Sequence, residues 1–239
     1  MTSAREHIEK KSGKLYGIGI GPGDPDLMTL KAVNVLNAVD HIVAPVKKEG
    51  EDSTALKIIS ERIDLRGKDV RELVFLMEGD RQKFEECGKD AGRRIVEMLG
   101  KGEDVAMVTL GDVSFYSTYM YLDGYVRDSG FGTEIIPGIT SFSNAAALAG
   151  IPLVLGDEGL AIIPAAKMND IGKIADIFEN IVVMKAGKIV RNISETVGPC
   201  GIRPENVTVV SRAGMDGEYV GPIADREFGY FTTLIMKRQ

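Results

Sequence analysis

Between Lys14 and Pro137 five short apolar runs alternate with helix-length segments, and this alternation leaves few folds open. The runs are KLYGIGI, HIVAPV, VRELVFLM, DVAMVTL and TEIIP. The segments between them include LKAVNVLNAV, STALKIISERI, a long stretch from Arg81 to Gly100, and a tyrosine-rich piece. Strands that are apolar on both sides and separated by helices form a parallel sheet covered on both faces. In the first helix Leu30, Val33 and Leu36 fall near one face; in the long one Phe84, Gly88, Ala91 and Ile95 do.

After PGITSFSNAAALAG the pattern loosens. GLAIIPA, NIVVMKA, NVTVVSRA, GEYVGP and YFTTLIMKR read as strands, the last three separated only by turns, which predicts antiparallel pairing. The expected architecture is two α/β domains with a ligand cleft between them: residues 1–138 on a five-stranded parallel sheet and residues 139–239 on a mixed sheet. No internal repeat stands out.

Charge narrows the function. The 239 residues carry a formal net charge of −6, which argues against a nucleic acid partner, because phosphate binding needs a basic face. No run approaches the roughly 18 apolar residues of a membrane span. The polar start, MTSAREHIEKKSGK, reads as a short disordered lead-in rather than a signal peptide. Two distant cysteines, Cys87 and Cys200, imply no disulfide framework and fit a reducing cytoplasm. His7 and His41 form no ligand cluster, so no protein-built metal site is expected.

The stretch GIGIGPGDPDLMTLKA, Gly17 to Ala32, invites a dinucleotide reading and fails it. A Rossmann turn needs glycines at i, i+2 and i+5; from Gly17 the last position is Pro22, and from Gly19 it is Asp24. The second strand ends in Pro45, Val46 and Lys47, with no acid for a ribose. What remains is a strand that ends in a bare turn, either a tight connection or room for a ligand. Two further turns share its character. TLGDVSFYSTYMYLDGY carries four of the seven tyrosines, with Tyr116 and Tyr119 on one helical face and Tyr121 and Tyr125 on another, a cluster suited to a planar ligand. PGITSFSNAAALAG offers Thr140 or Ser141 as the cap of a small-residue helix. The three turns follow strands one, four and five and are expected to converge.

Together these segments resemble the tetrapyrrole (corrin/porphyrin) methylases. YGIGIGPGDPDLMTLKA is similar to the family's opening motif, GDVSFYST to its second and PGITS to its third; VVMKAGK, VVSRAG and YFTTLIMKR are similar to its later segments. Gly111-Asp112-Val113 departs from the common Gly-Asp-Pro and most resembles members that methylate C20 of precorrin-2 or its cobalt counterpart in cobalamin synthesis. The resemblance implies S-adenosylmethionine as cofactor, a tetrapyrrole substrate and a homodimer. It also implies cofactor contacts at Pro22, Leu110, Gly111, Asp112, Phe115, Thr140, Ser141, Met184 and Ala213. Other ring positions, or a diphthamide precursor, stay open as substrates.

Methylating a carbon that bears hydrogen requires loss of a proton, for which Asp112 and Tyr116 are the candidate bases; Asp112 can equally serve to fix its loop. A polycarboxylate substrate needs local cations. Lys47, Lys48, Lys185, Lys188, Arg191 and Arg212 lie at or just after expected strand ends.

Overall fold

The computed structural model describes residues 12–75 and 81–238. His7 with the first eleven residues of the lead-in, and Leu76 and Met77 at the end of the third apolar run, lie outside them. The chain divides into two compact units: one runs to Gly21 and again from Pro25 to Gly138, and the other comprises Pro22–Asp24 and the chain from Ile139 onward. The sequence boundary at residue 138 puts Pro22–Asp24 in the first domain. Packing explains the difference: a Cβ built on Gly23 would lie 2.5 Å from the Ala213 carbonyl oxygen, within the second unit.

The first unit is built on a sheet in the order β3-β2-β4-β1-β5. Its strands are β1 (Lys14–Gly19), β2 (His41–Val46), β3 (Asp69–Val74), β4 (Val105–Thr109) and β5 (Gly132–Ile136). Every pair is parallel, as the alternation with helices requires. The helices are α1 (Leu30–Ala38), α2 (Thr54–Ser60), α3 (Arg81–Leu99) and α4 (Met120–Asp128). Thr29 and Ser53 start α1 and α2 by accepting from the Ala32 and Leu56 amides.

On α3 the expected stripe holds: Gly88, Ala91 and Ile95 are buried and Phe84 is half-buried. Met98 and Leu99 extend it into a core shared with Leu15, Met107, Tyr119, Leu122 and Val126. A fully buried Ile95 contributes about 2 kcal/mol of transfer energy. On α1 the expectation fails at Leu30, which is 83% exposed. The buried positions are Ala32 and Leu36, four residues apart on one face; Leu30, the first helical residue and two before Ala32, falls on another side of the helix.

The second unit carries a mixed sheet in the order β6-β7-β10-β8-β9. Its strands are β6 (Leu160–Pro164), β7 (Asn180–Met184), β8 (Val207–Ser211), β9 (Tyr219–Gly221) and β10 (Thr232–Lys237). The last three pair antiparallel, as expected from their short connections, and β10 also pairs antiparallel with β7. Helix α5 (Ser141–Ala149) packs with Ala145 and Ala146 on Val182, Val210 and Ile235. Helices α6 (Ile171–Ala175) and α7 (Ile193–Val197) belong to a second cluster with Ile181, Val183, Val209 and Leu234. Neighbouring residues of one strand thus feed opposite faces, which is the period of two that a covered sheet imposes. Among the described residues no helix is long and apolar enough to cross a membrane.

Candidate functional site

In the first unit β4, β1 and β5 are neighbours, so the turns at their carboxyl ends meet. Gly21 and Gly111 form an isolated antiparallel bridge: the Gly111 N–H donates to the Gly21 carbonyl at 2.7 Å and the reverse bond spans 3.2 Å. The turn after β5 joins through Gly138, whose N–H donates to Asp112 Oδ2 at 2.9 Å. The expected convergence of the three turns holds at Gly21, Gly111 and Gly138.

The bareness of the opening motif has a different cause from the one its ligand reading implies. A Cβ on Gly17 would sit 2.6 Å from the Tyr119 ring. One on Gly19 would sit 2.6 Å from the Gly138 nitrogen and 2.8 Å from the Gly111 oxygen. At Gly17 and Gly19 the protein's own ring and backbone fill the space, as a tight connection requires.

The tyrosines are corrected by the same packing. Tyr119 is fully buried and donates to Asp123 Oδ1 at 2.8 Å; burial and the Asp123 carboxylate push its phenol well above the ordinary value. Tyr121 stacks on Phe84 at 5.6 Å between centroids, and its backbone occupies the space a Cβ on Gly88 would need. Tyr125 lies against Gly92 in the same way. Three of the four therefore pack α4 against α3 or the sheet. Tyr116 differs: it precedes α4, stands 48% exposed at φ 50° and meets Phe115 edge-on at 5.1 Å.

Asp112 is buried and both its oxygens are engaged. Oδ1 accepts from the Ser114 N–H at 2.9 Å and from the Ser114 hydroxyl, and Oδ2 accepts from Gly138. Burial opposes ionisation, but the bonds from the Ser114 hydroxyl and the Gly138 and Ser114 amides outweigh it and hold the carboxyl below its ordinary range. The group ties the turn after β4 to the end of β5.

The second unit gathers Met184 and Ala213, both partly buried, on the cluster formed by α5, Val182, Val210 and Ile235. Thr140 holds the N-cap position of α5, yet its hydroxyl meets Ser143 Oγ at 2.8 Å rather than capping an amide. Buried Asn144, one turn into the helix, has a side-chain nitrogen without a hydrogen-bond partner. Pro22 is buried in this unit, and Leu110 and Phe115 are partly buried in the first. An apolar shelf with a thioether, hydroxyls at a helix start and an orphaned amide suits an adenosyl group bearing an amino acid tail, so the residues fit S-adenosylmethionine. Among the described residues there is no group of three or more His, Cys, Asp or Glu side chains that could hold a metal ion.

Residue type alone gave no sign that Lys185, at φ 61°, and Arg212, at φ 55°, have left-handed backbones. One signal was present: Val-Val-Met-Lys-Ala-Gly at 182–187 is echoed by Val-Val-Ser-Arg-Ala-Gly at 209–214, a repeat of only six residues.

Residues 14–225 match the family described as Tetrapyrrole (Corrin/Porphyrin) Methylases. A relative from Methanocaldococcus jannaschii named "Probable cobalt-precorrin-2 C(20)-methyltransferase" is 36% identical, over 97% of this chain and 99% of its own. The cobalt-precorrin-2 C(20)-methyltransferase of Salmonella typhimurium is 30% identical over 95% and 98%. Among solved structures, a cobalt precorrin-4 methyltransferase superposes with a TM-score of 0.71 over 94% of both chains at 22% identity, a likeness of fold.

Proposed function

The chain belongs to the tetrapyrrole (corrin/porphyrin) methylases, and we propose that it transfers a methyl group to C20 of precorrin-2 or cobalt-precorrin-2 in cobalamin biosynthesis. The observation that carries this reading is identity of 36% along nearly the full length of a relative named for that reaction. S-adenosylmethionine, when bound, supplies an activated methyl on a sulfonium sulfur, so no protein nucleophile is needed.

The residues then divide the remaining work. Met184 and Ala213 offer the apolar shelf for the adenosyl group, and Thr140, Ser141 and Pro22 belong to the same unit. Leu110, Gly111 and Phe115, the other cofactor contacts that the family resemblance implies, belong to the turn after β4 in the first unit. Asp112 keeps that turn in place; with both oxygens committed to Ser114 and Gly138, it acts as a clamp rather than a base. Tyr116, half-exposed and outside the packed helix, is the better placed of the two candidates to take the C20 proton. Orientation of this kind can lower a barrier by up to roughly 7–11 kcal/mol. We read the protein as a homodimer in the cytoplasm, which light scattering and cell fractionation test.

Incubating the protein with S-adenosylmethionine and either metal-free or cobalt-bearing precorrin-2, then locating the new methyl by NMR, tests the assignment. A methyl at C20 is expected. Transfer to another ring position, or none to either substrate, would overturn it.

A further inference from the structure

Strands β7 and β8 both run antiparallel to β10, so their carboxyl ends flank its start: Met184 pairs with Thr233 and Ser211 with Thr232. The next residue on each side is a cation, Lys185 and Arg212, and both are exposed. The backbone after each strand is tied to the start of β10. Ala186 donates to the Thr232 carbonyl at 2.9 Å, and Arg212 donates to the Phe231 carbonyl at 2.7 Å. Two strand spacings put their α-carbons roughly 10 Å apart.

Both cations sit in the left-handed region, which disfavours residues with a Cβ and suits glycine or asparagine. Among the described residues only Tyr116 shares that condition outside glycine. The same strained geometry holds a long cation at the two mirrored ends of one sheet, each followed by Ala-Gly. Backbone needs alone would place glycine there, so the side chains themselves are what the geometry is kept for.

Their surroundings describe a ligand. Between them, Tyr230 and Phe231 are exposed aromatics packed edge-on at 5.4 Å, and Lys185 Nζ lies 5.4 Å from the Tyr230 ring centre. Arg212 is oriented by its Nε, which donates to the Asp216 carbonyl, and it forms no ion pair among the described residues. The nearby Glu218 carboxylate is engaged by the Gly214 amide at 2.7 Å. Two long cations rising from α-carbons about 10 Å apart, with an aromatic surface between those strands, match a flat ring carrying carboxylates at its edge.

We propose that Lys185 and Arg212 anchor two peripheral carboxylates of the tetrapyrrole and so position the ring for methylation. This rests on the methyltransferase assignment above and extends it to the recognition of substrate. Both are positioning residues; neither takes part in bond making.

Lys185→Asn and Arg212→Asn, singly and together, provide the test, because asparagine tolerates the left-handed backbone and removes the charge. The variants should melt with the wild type. The tetrapyrrole KM should rise about tenfold in each and about a hundredfold in the pair, with kcat within about twofold. Lys185→Arg should restore most of the loss, and the salt dependence of KM should flatten in the double variant. Titration calorimetry should show unchanged affinity for S-adenosylmethionine. A folded double variant with unmoved KM overturns the proposal. So does a loss confined to S-adenosylmethionine affinity, which would assign the cations to the methionine carboxylate. A wild-type protein that methylates no tetrapyrrole overturns the assignment itself, and this inference falls with it.

Discussion

In the first unit the chain leaves β1 and β4 through glycines, Gly21 at φ 82° and Gly111 at φ 70°, whereas in the second it leaves β7 and β8 through Lys185 and Arg212 at φ 61° and 55°. The backbone solution is the same and the side-chain solution is opposite. Around the glycines the space is taken: the Leu27 carbonyl lies 3.0 Å from where a Cβ on Gly21 would be, and the Gly111 oxygen 2.2 Å from one on Gly138. Around the cations the side chains reach solvent. Glycine stands where the protein's backbone must close on itself. A charged residue stands where something outside the chain must be met.

The contrast can be broken most severely at Gly138. Gly138→Ala drives a methyl group into the Gly111 carbonyl and the Gly19 backbone, and should cost about 3 kcal/mol in urea-induced unfolding. A loss below about 1 kcal/mol would mean that the three turns are not close-packed.

Asp112→Ala comes next, at about 2 kcal/mol, because it leaves the Gly138 and Ser114 amides without their acceptor. The loss carries a pH signature. Since the native carboxyl is held below the ordinary value of 3.8, its contribution is complete above that pH and disappears as pH falls through the native value. The stability gap between wild type and Asp112→Ala should therefore be widest at neutral pH and narrow under acid. A gap independent of pH would show that the ionised form is not what holds the turn.

The smallest effects sharpen the comparison, because they have opposite signs. Gly21→Ala should cost about 1–2 kcal/mol, the penalty for a Cβ at positive φ. Lys185→Gly removes that penalty but admits a freer unfolded chain, for a net change between zero and a gain of about 1 kcal/mol. Melting temperatures measured side by side check the pair. A destabilised Lys185→Gly would mean that the lysine is held for packing rather than for contact with a ligand.

The alternation of apolar runs made the parallel sheet and the mixed sheet legible, because periodicity reports which faces are covered. It also identified Gly88, Ala91 and Ile95 as the inner stripe of α3. Partnership was harder to read. The spacing of Tyr119, Tyr121 and Tyr125 says that they lie on a helix or at its edge, but only the fold says that Gly17, Gly88 and Gly92 are bare to admit them. For the same reason the opening motif looked like ligand space: a missing side chain records a close approach without naming what approaches. Asp112 was legible as a loop residue with two possible roles, and its three donors support the loop-fixing one.

The reciprocal bonds between Gly21 and Gly111 lock the lengths of two connections that are far apart along the chain. Inserting a residue into either would carry one partner out of register and strand a peptide N–H and a carbonyl on each side. Such a chain can therefore diversify these two turns by exchanging residues, while insertions and deletions have to accumulate in other parts of the sequence.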